Sequence, residues 1–251
     1  MTIARLLIVV NTRCVYYRIK DLTADHGDNM TLAPLIDMIN HSSDENVTID
    51  RVEDALEIRA TREIQVGEEL NFSYHSRPSR FWLVEYGFIP DDNVYDDLDI
   101  SPEIEEIALD RKEWLTNEDY WGFHHFLLIG IDDREYTITS DGFPSFRTEV
   151  AIMSTLIFDE GELRKFLEGN YHYEGSKAVE EMQDILRKIL NAKVEECRRF
   201  LSEPIRRLVI ESHPHVMLAT KLWTGELDIA TAALINLGPP RDEHHTENTS
   251  R

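Results

Sequence analysis

The stretch PLIDMINHS, residues 34–42, changes abruptly from apolar to polar. Apolar side chains recur from Leu32 to Ile39, so most of this segment is expected to be buried. It ends on Asn40 and His41, whose amide and imidazole need hydrogen-bonding partners at the edge of a buried segment. Taken alone, such a pair is more often a cap beside a core histidine than part of a binding site. The rest of the sequence must show whether the partner is protein or ligand.

The composition argues against several classes of protein. The 251 residues include 48 acidic and 26 basic ones, giving a formal net charge of −22. A surface that binds duplex nucleic acid is basic, so nucleic acid is not an expected partner. An acidic chain attracts basic proteins by long-range electrostatics, although the same charge also serves solubility. The sequence leaves the oligomeric state open.

Cysteine usage and the first residues bear on the compartment. Cys14 and Cys197 are too few for a disulfide framework or a cysteine-rich zinc cluster. The apolar run near the start is too short for a membrane helix and lacks a cleavage-site pattern. These features favour an intracellular protein, cytoplasmic or nuclear, with no membrane partner.

Alternation and turn residues predict short strands and one helix in the first half. Residues 55–60, ALEIRA, alternate apolar and charged side chains, which is typical of a half-buried strand. Residues 67–76, GEELNFSYHS, predict a second strand. It places the Tyr74 ring on the core side, where the hydroxyl needs a partner. Residues 76–88 predict a short helix that ends at Gly87.

The chain changes character after Pro90. Residues 91–107 are rich in acidic side chains and predict a connector that contains the domain boundary. From Ser176 to Leu201, apolar side chains keep helical spacing for about seven turns. Residues 225–237 predict another helix, stopped by the glycine and prolines that follow. The second half is therefore expected to be mainly helical.

Three motifs, in this order and at these separations, carry a resemblance to a known family. They are PLIDMINHS at 34–42, ATREIQVGEELNFSY at 60–74 and EYGF at 85–88. Together they resemble the second half of a SET-domain protein lysine methyltransferase. The subgroup is the one typified by Rubisco large-subunit methyltransferase and its fungal relatives. VNTRCVYY, residues 10–17, is similar to the Thr/Ser-Arg segment that precedes these motifs in the family.

The resemblance implies an α+β fold in three parts. Residues 1–90 would form the C-terminal half of a SET domain, a partial β-fold of short strands with a knot-like crossing. Residues 91–240 would form a mainly α-helical domain like the family's substrate-binding region. Residues 241–251 would be a disordered tail.

The same resemblance implies a cofactor, a partner and a set of site residues. The cofactor is S-adenosyl-L-methionine, the partner is a protein substrate presenting a lysine, and the catalytic residue is Tyr74. Asn40 and His41 would hold the adenine, and Arg13 would pair with the cofactor carboxylate. The full cofactor-binding set is Arg13, Asp37, Asn40, His41, Tyr86 and Phe88. Aromatic walls would also desolvate the lysine amine and lower its pKa.

One family feature is missing from the sequence. The family's SET domain begins with a Gly-x-Gly turn that cradles the cofactor. This chain has 11 glycines, and no two of them are separated by a single residue, so it contains no Gly-x-Gly pattern. The chain is therefore expected to begin in mid-domain. We expect it to bind S-adenosylmethionine weakly or not at all.

Other interpretations remain open at this point. Taken singly, Tyr74 is a core tyrosine, Arg13 a surface ion-pair partner and Asp37 a turn cap. A non-catalytic, SET-derived protein-binding module fits the same sequence, and so does histidine methylation. The histidine pairs lack a carboxylate or cysteine at zinc-site spacing, so no metal site is predicted.

Overall fold

Short strands dominate the first part of the chain and long helices the second. The computed structural model describes residues 10, 12–16, 30–52, 55–91, 93–108, 136–202 and 213–239. Its contacts divide the chain into two compact units, one up to Tyr95 and one from Asp96. The predicted loop at 20–30, the histidine pairs at 124–125 and 244–245, and the tail at 241–251 lie wholly or almost wholly outside the described residues.

The described part of the first unit contains six strands, one α-helix and a short 3-10 helix. The strands and the α-helix are β1 (Cys14–Tyr16), β2 (Met30–Leu32), β3 (Asn40–His41), β4 (Val47–Val52), β5 (Ala55–Ala60), β6 (Asn71–Phe72) and α1 (Ser79–Glu85). Strands β1 and β2 pair antiparallel, as do β4 and β5. Strand β3 pairs parallel with β6, which joins two segments that are distant along the chain. Every pairing of the described strands forms a two-stranded sheet.

The apolar segment before Asn40 is less buried than expected. A 3-10 helix occupies Ile36–Met38, and Leu35 just before it has a φ of 79°. Because a 3-10 helix repeats every three residues, Ile36 and Ile39 point to the same side, and both are buried. Leu35 and Met38 point outward and are 76% and 73% exposed. The prediction that most of this segment is buried was wrong.

Both strands predicted in the first unit exist, with corrections. Strand β5 lies where the alternation placed it, but Ile58 and Ala60 are exposed. Leu56 is half-buried, so the expected apolar face is covered at one end of the strand only. The second strand is short, because β6 ends at Phe72 and Tyr74 follows it. Helix α1 ends as predicted, with Gly87 at a φ of 78°.

The second unit is mainly helical. It contains β7 (Asp97–Asp99), α2 (Ser101–Ala108), β8 (Thr137–Thr139), α3 (Phe146–Leu156), α4 (Glu160–Leu167), α5 (Lys177–Ser202) and α6 (Pro214–Asn236). Strands β7 and β8 pair antiparallel. Helices α5 and α6 pack against each other. Helix α5 also contacts α3, and α6 also contacts β7 and β8. A single apolar cluster fills the space between these elements.

Two boundaries in the second unit differ from the prediction. The acidic stretch 91–107 is not only a connector, because it contains β7 and all but the last residue of α2. Its apolar residues Leu98, Ile100 and Ile104 are almost fully buried. Helix α6 begins at Pro214, a residue suited to the first turn, rather than at Gly225. In the described part of the chain, no helix has the length and hydropathy to cross a membrane.

Candidate active site

The parallel pairing of β3 with β6 brings two of the sequence motifs together. Asn40 lies opposite Asn71 and His41 opposite Phe72. The main-chain N–H of Ser42 donates to the Phe72 carbonyl at 3.2 Å and extends the contact beyond the strands. The end of the apolar segment therefore lies beside the segment that leads into Tyr74.

Tyr74 bonds to this neighbouring segment at two points. Its hydroxyl donates to the main-chain carbonyl of Ile39, with 2.5 Å between the oxygens. Its main-chain N–H donates to Nδ1 of His41 at 3.2 Å. The phenol and the imidazole are thereby held next to each other, with ring centroids 5.4 Å apart.

Aromatic rings surround this pair. Trp82 on α1 stacks on the His41 imidazole with 4.3 Å between centroids and an interplanar angle of 23°. Tyr86 lies 5.6 Å from the Tyr74 ring, and Phe88 lies 5.4 Å from the Trp82 ring. These distances are typical of offset and tilted aromatic pairs. His41, Tyr74, Trp82, Tyr86 and Phe88 form one cluster, called the aromatic wall below.

Trp82 is the centre of the aromatic wall and was missed by the sequence reasoning. It is 1% exposed, and its indole N–H donates to the Arg77 carbonyl at 2.9 Å. A tryptophan in a short helix signals burial, but nothing local indicates that its partner is a histidine 41 residues earlier in the chain. The imidazole orientation thus depends on a residue outside the predicted set.

Burial sets the protonation states in the aromatic wall. It lowers the pKa of the His41 imidazole from 6.5, an effect opposed by the Phe72 carbonyl and reinforced by His75. It raises the pKa of the Tyr74 phenol above 10.0, against the nearby Arg13 charge. Burial likewise raises the pKa of Tyr86. At neutral pH the wall therefore presents a neutral imidazole and neutral phenols.

The remaining predicted residues lie at the edge of the site. Arg13 donates from Nη1 to the main-chain oxygen of Asp37 at 2.6 Å, which ties the Thr-Arg segment to the 3-10 helix. Asn40 is exposed, and its Nδ2 donates to Oε1 of Glu69 at 2.6 Å. The structure therefore brings all seven predicted residues into one region of the first unit, with three of them at its polar rim.

A buried asparagine, Asn46, holds the segment that leads into β6 by hydrogen bonds. Asn46 is 1% exposed. Its Nδ2 donates to the Glu69 carbonyl at 2.8 Å and to Oε1 of Glu68 at 3.2 Å. Its Oδ1 accepts the main-chain N–H of Asn71 at 2.9 Å. Asn46 thus fixes the segment that enters β6, although the sequence reasoning did not single it out.

Metal ligands are not grouped in the described part of the chain. Across residues 30–52, 55–91, 93–108, 136–202 and 213–239, no three histidine, cysteine or acidic side chains converge as a metal-binding group. His213 and His215 lie with ring centroids 5.2 Å apart.

Two family profiles match consecutive parts of the chain. The SET domain profile matches residues 9–75, which lie in the first unit. The profile of the ribosomal lysine N-methyltransferase 2 C-terminal domain matches residues 96–236. Because this second match covers more than half of the chain, the chain belongs to the ribosomal lysine N-methyltransferase 2 family of SET-domain proteins. The resemblance and the α+β fold class inferred from the sequence are confirmed.

Two curated relatives and one solved structure are similar to the chain. Ribosomal lysine N-methyltransferase 2 of Saccharomyces cerevisiae is 27% identical over 91% of this chain and 49% of its own length. Ribosomal lysine N-methyltransferase set11 of Schizosaccharomyces pombe is 27% identical over 76% of this chain and 49% of its own. The chain thus spans about half the length of these relatives. A structure of Rubisco LSMT bound to AdoMet is 14% identical, covers 92% of this chain and 53% of its own, and has a TM-score of 0.46.

Proposed function

We propose that this chain contributes the methyl-transfer site of a protein lysine N-methyltransferase that uses S-adenosyl-L-methionine. The observation that carries the proposal is the double attachment of Tyr74, through its hydroxyl to Ile39 and through its N–H to His41. The names of the curated relatives support a lysine of a ribosomal protein as the substrate class. Such a substrate implies an intracellular setting, with neither nucleic acid nor membrane as a required partner.

The side chains of the region fit the cofactor by their chemistry. An exposed guanidinium, that of Arg13, suits a carboxylate. An exposed amide and an imidazole, those of Asn40 and His41, suit the donors and acceptors of an adenine. The rings of Tyr86 and Phe88 suit a sulfonium cation, which aromatic faces attract. The bound cofactor would supply an activated methyl group.

Tyr74 would position the lysine amine. Because its O–H proton is committed to the Ile39 carbonyl, the phenol oxygen has lone pairs to offer an amine N–H. Burial raises the pKa of this phenol, so Tyr74 stays protonated at neutral pH and acts by orientation rather than as a base. Holding the amine in line with the methyl group lowers the barrier by removing the cost of finding that geometry.

The aromatic wall would prepare the amine for attack. A lysine ammonium is not nucleophilic until it loses a proton, and an apolar channel lowers its pKa by disfavouring the charged form. Trp82 would fix the imidazole of His41 by stacking, and His41 would in turn fix the main chain of Tyr74. Asp37, whose main-chain oxygen accepts from Arg13, would line the edge of this channel.

A methylation assay tests the proposal. The chain is incubated with ribosomal protein extract and S-adenosylmethionine carrying a radiolabelled methyl group. At S-adenosylmethionine concentrations high enough to offset the weak affinity expected from the missing Gly-x-Gly turn, we expect label on a protein lysine. Tyr74→Phe should lower the labelling by at least about 100-fold, the scale on which a lost orienting or electrostatic group acts. Tyr95→Phe, which changes an exposed tyrosine of the same unit, is the matched control and should keep the parent rate.

The rival function predicts a different result. A non-catalytic binding module would retain a ribosomal protein without labelling it, and Tyr74→Phe would not alter that retention. Label on histidine instead of lysine would assign histidine methylation, the other activity left open by the sequence. Weak affinity for S-adenosylmethionine stays a prediction, based on the missing Gly-x-Gly turn, and calorimetric titration of the chain measures it directly.

A further inference from the structure

The second unit carries an aromatic cluster that the proposed function does not use. Phe166 on α4 is fully buried, and its ring centroid lies 6.3 Å from Phe146, 5.7 Å from Tyr171 and 6.1 Å from Tyr173. Phe146 and Tyr173 are nevertheless 52% and 44% exposed. The rings of Phe146 and Tyr173 are thus partly accessible to solvent, next to the buried ring of Phe166.

A carboxylate lies beside these exposed rings. Glu149 follows Phe146 by three residues on α3, which places both side chains on the same face of the helix. The Glu149 charge also acts on Tyr173, since it helps burial to raise the pKa of that phenol. Phe146, Glu149 and Tyr173 therefore border one patch of the surface.

This carboxylate is half-buried, and no cation of the described residues pairs with it. Within the described residues, the Glu149 side chain has neither an ion pair nor a hydrogen bond, and burial is the cause that raises its pKa. A desolvated carboxylate without a partner costs free energy, which an incoming cation would recover.

We propose that Phe146, Glu149 and Tyr173 bind the guanidinium group of an arginine in a basic partner polypeptide. The Tyr173 ring packs edge-on against Tyr171, with 5.7 Å between centroids and an interplanar angle of 89°. A guanidinium is planar and weakly hydrated, stacks on aromatic faces and pairs with a carboxylate at its edge. The net charge of −22 would attract a basic partner over long range. The assignment does not depend on the proposed methyl transfer.

Peptide titration tests this site. The chain is titrated with a short arginine-containing peptide, with the same peptide carrying lysine, and with one carrying citrulline, the neutral isostere of arginine. We expect arginine to bind best and citrulline not measurably. Glu149→Gln and Tyr173→Leu should each weaken binding of the arginine peptide by up to about fivefold, the scale of an exposed ion pair and of an exposed cation–aromatic contact, respectively. Phe146→Leu is a second test of the ring contribution that keeps an apolar side chain.

The controls separate this site from general acidity and from misfolding. Asp228→Asn removes an exposed carboxylate from α6 and changes the net charge as Glu149→Gln does, so its affinity should equal that of the parent. The melting temperature of Glu149→Gln should match or exceed the parent value, since a half-buried carboxylate is removed. Equal binding of the citrulline peptide, or equal losses in Glu149→Gln and Asp228→Asn, would overturn the proposal. A polyamine that binds as tightly with the same variant dependence would also overturn it.

Discussion

The imidazole of His41 accepts the main-chain N–H of Tyr74 although 33 residues separate them in the chain. This bond requires a neutral Nδ1, because a protonated imidazole has no acceptor nitrogen. The geometry of the candidate active site is therefore linked to the protonation of His41.

The first prediction concerns pH. Burial lowers the pKa of His41 and of His75 below 6.5 in the folded chain. The unfolded chain then binds more protons than the folded one as the pH falls below about 6.5, so the free energy of unfolding decreases in that range. Urea titrations at pH 7 and pH 5 should show this decrease. His41→Gln and His75→Gln should each reduce it, and variants with the same pH dependence as the parent would contradict the assignment.

The second prediction compares two asparagines of the first unit. Asn46→Ala removes three hydrogen bonds from a buried position and leaves the Asn71 N–H without its acceptor. We expect a loss of about 2–4 kcal/mol in the free energy of unfolding. Asn40→Ala removes one exposed bond to Glu69 and should cost less than about 1 kcal/mol. Denaturant unfolding followed by circular dichroism gives both values, and similar losses would count against a supporting role for Asn46.

The third prediction uses two glycines with similar backbone angles. Gly87 and Gly142 have φ values of 78° and 80°. A Cβ on Gly87 meets nothing within 4 Å, so Gly87→Ala should cost only the backbone strain of about 1–2 kcal/mol. A Cβ on Gly142 would lie 2.8 Å from the Ala233 nitrogen of α6, so Gly142→Ala should cost clearly more. Thermal unfolding distinguishes the two, and equal losses would show that the close approach to α6 relaxes freely.

The fourth prediction concerns the end of α6. Arg187 on α5 donates to the Gly238 carbonyl at 2.8 Å and to the Leu237 carbonyl at 3.2 Å. These carbonyls directly follow the last residue of α6, near the negative end of its dipole, so Arg187→Gln should cost about 1–2 kcal/mol and speed hydrogen exchange in the last turn of α6. Arg198→Gln breaks only an exposed ion pair with Glu195 and should change stability by less than about 0.5 kcal/mol. Unchanged exchange in Arg187→Gln would contradict the role of that guanidinium.

Local patterns in the sequence predicted the elements whose cause is local. Helix α5 repeats apolar residues over 26 positions. Helix α1 stops before Gly87, whose positive φ is a conformation that favours glycine. Acidic neighbours concealed β7 and α2, since Leu98 and Ile104 are single apolar residues among carboxylates. The aspartates and glutamates there mark an outer face rather than a loop.

The candidate active site was predictable only in part. Its predicted members, such as Tyr74 and His41, were found through a family resemblance that names residues but not their contacts. Trp82 and Asn46 escaped detection because their partners lie far away along the chain. Packing and hydrogen bonding across such separations follow from the fold, and no periodicity in the sequence encodes them.

The pairing of β3 with β6 involves only two residues on each strand, yet the Tyr74 hydroxyl reaches Ile39 across 35 positions of chain. Closing so long a loop costs entropy before any contact repays it, so nonlocal contacts of this kind tend to form late in folding. Partial opening of the first unit would then separate the phenol from the imidazole while the β4–β5 ladder is still intact. The proposed methyl transfer would then be lost at a milder denaturant concentration than secondary structure.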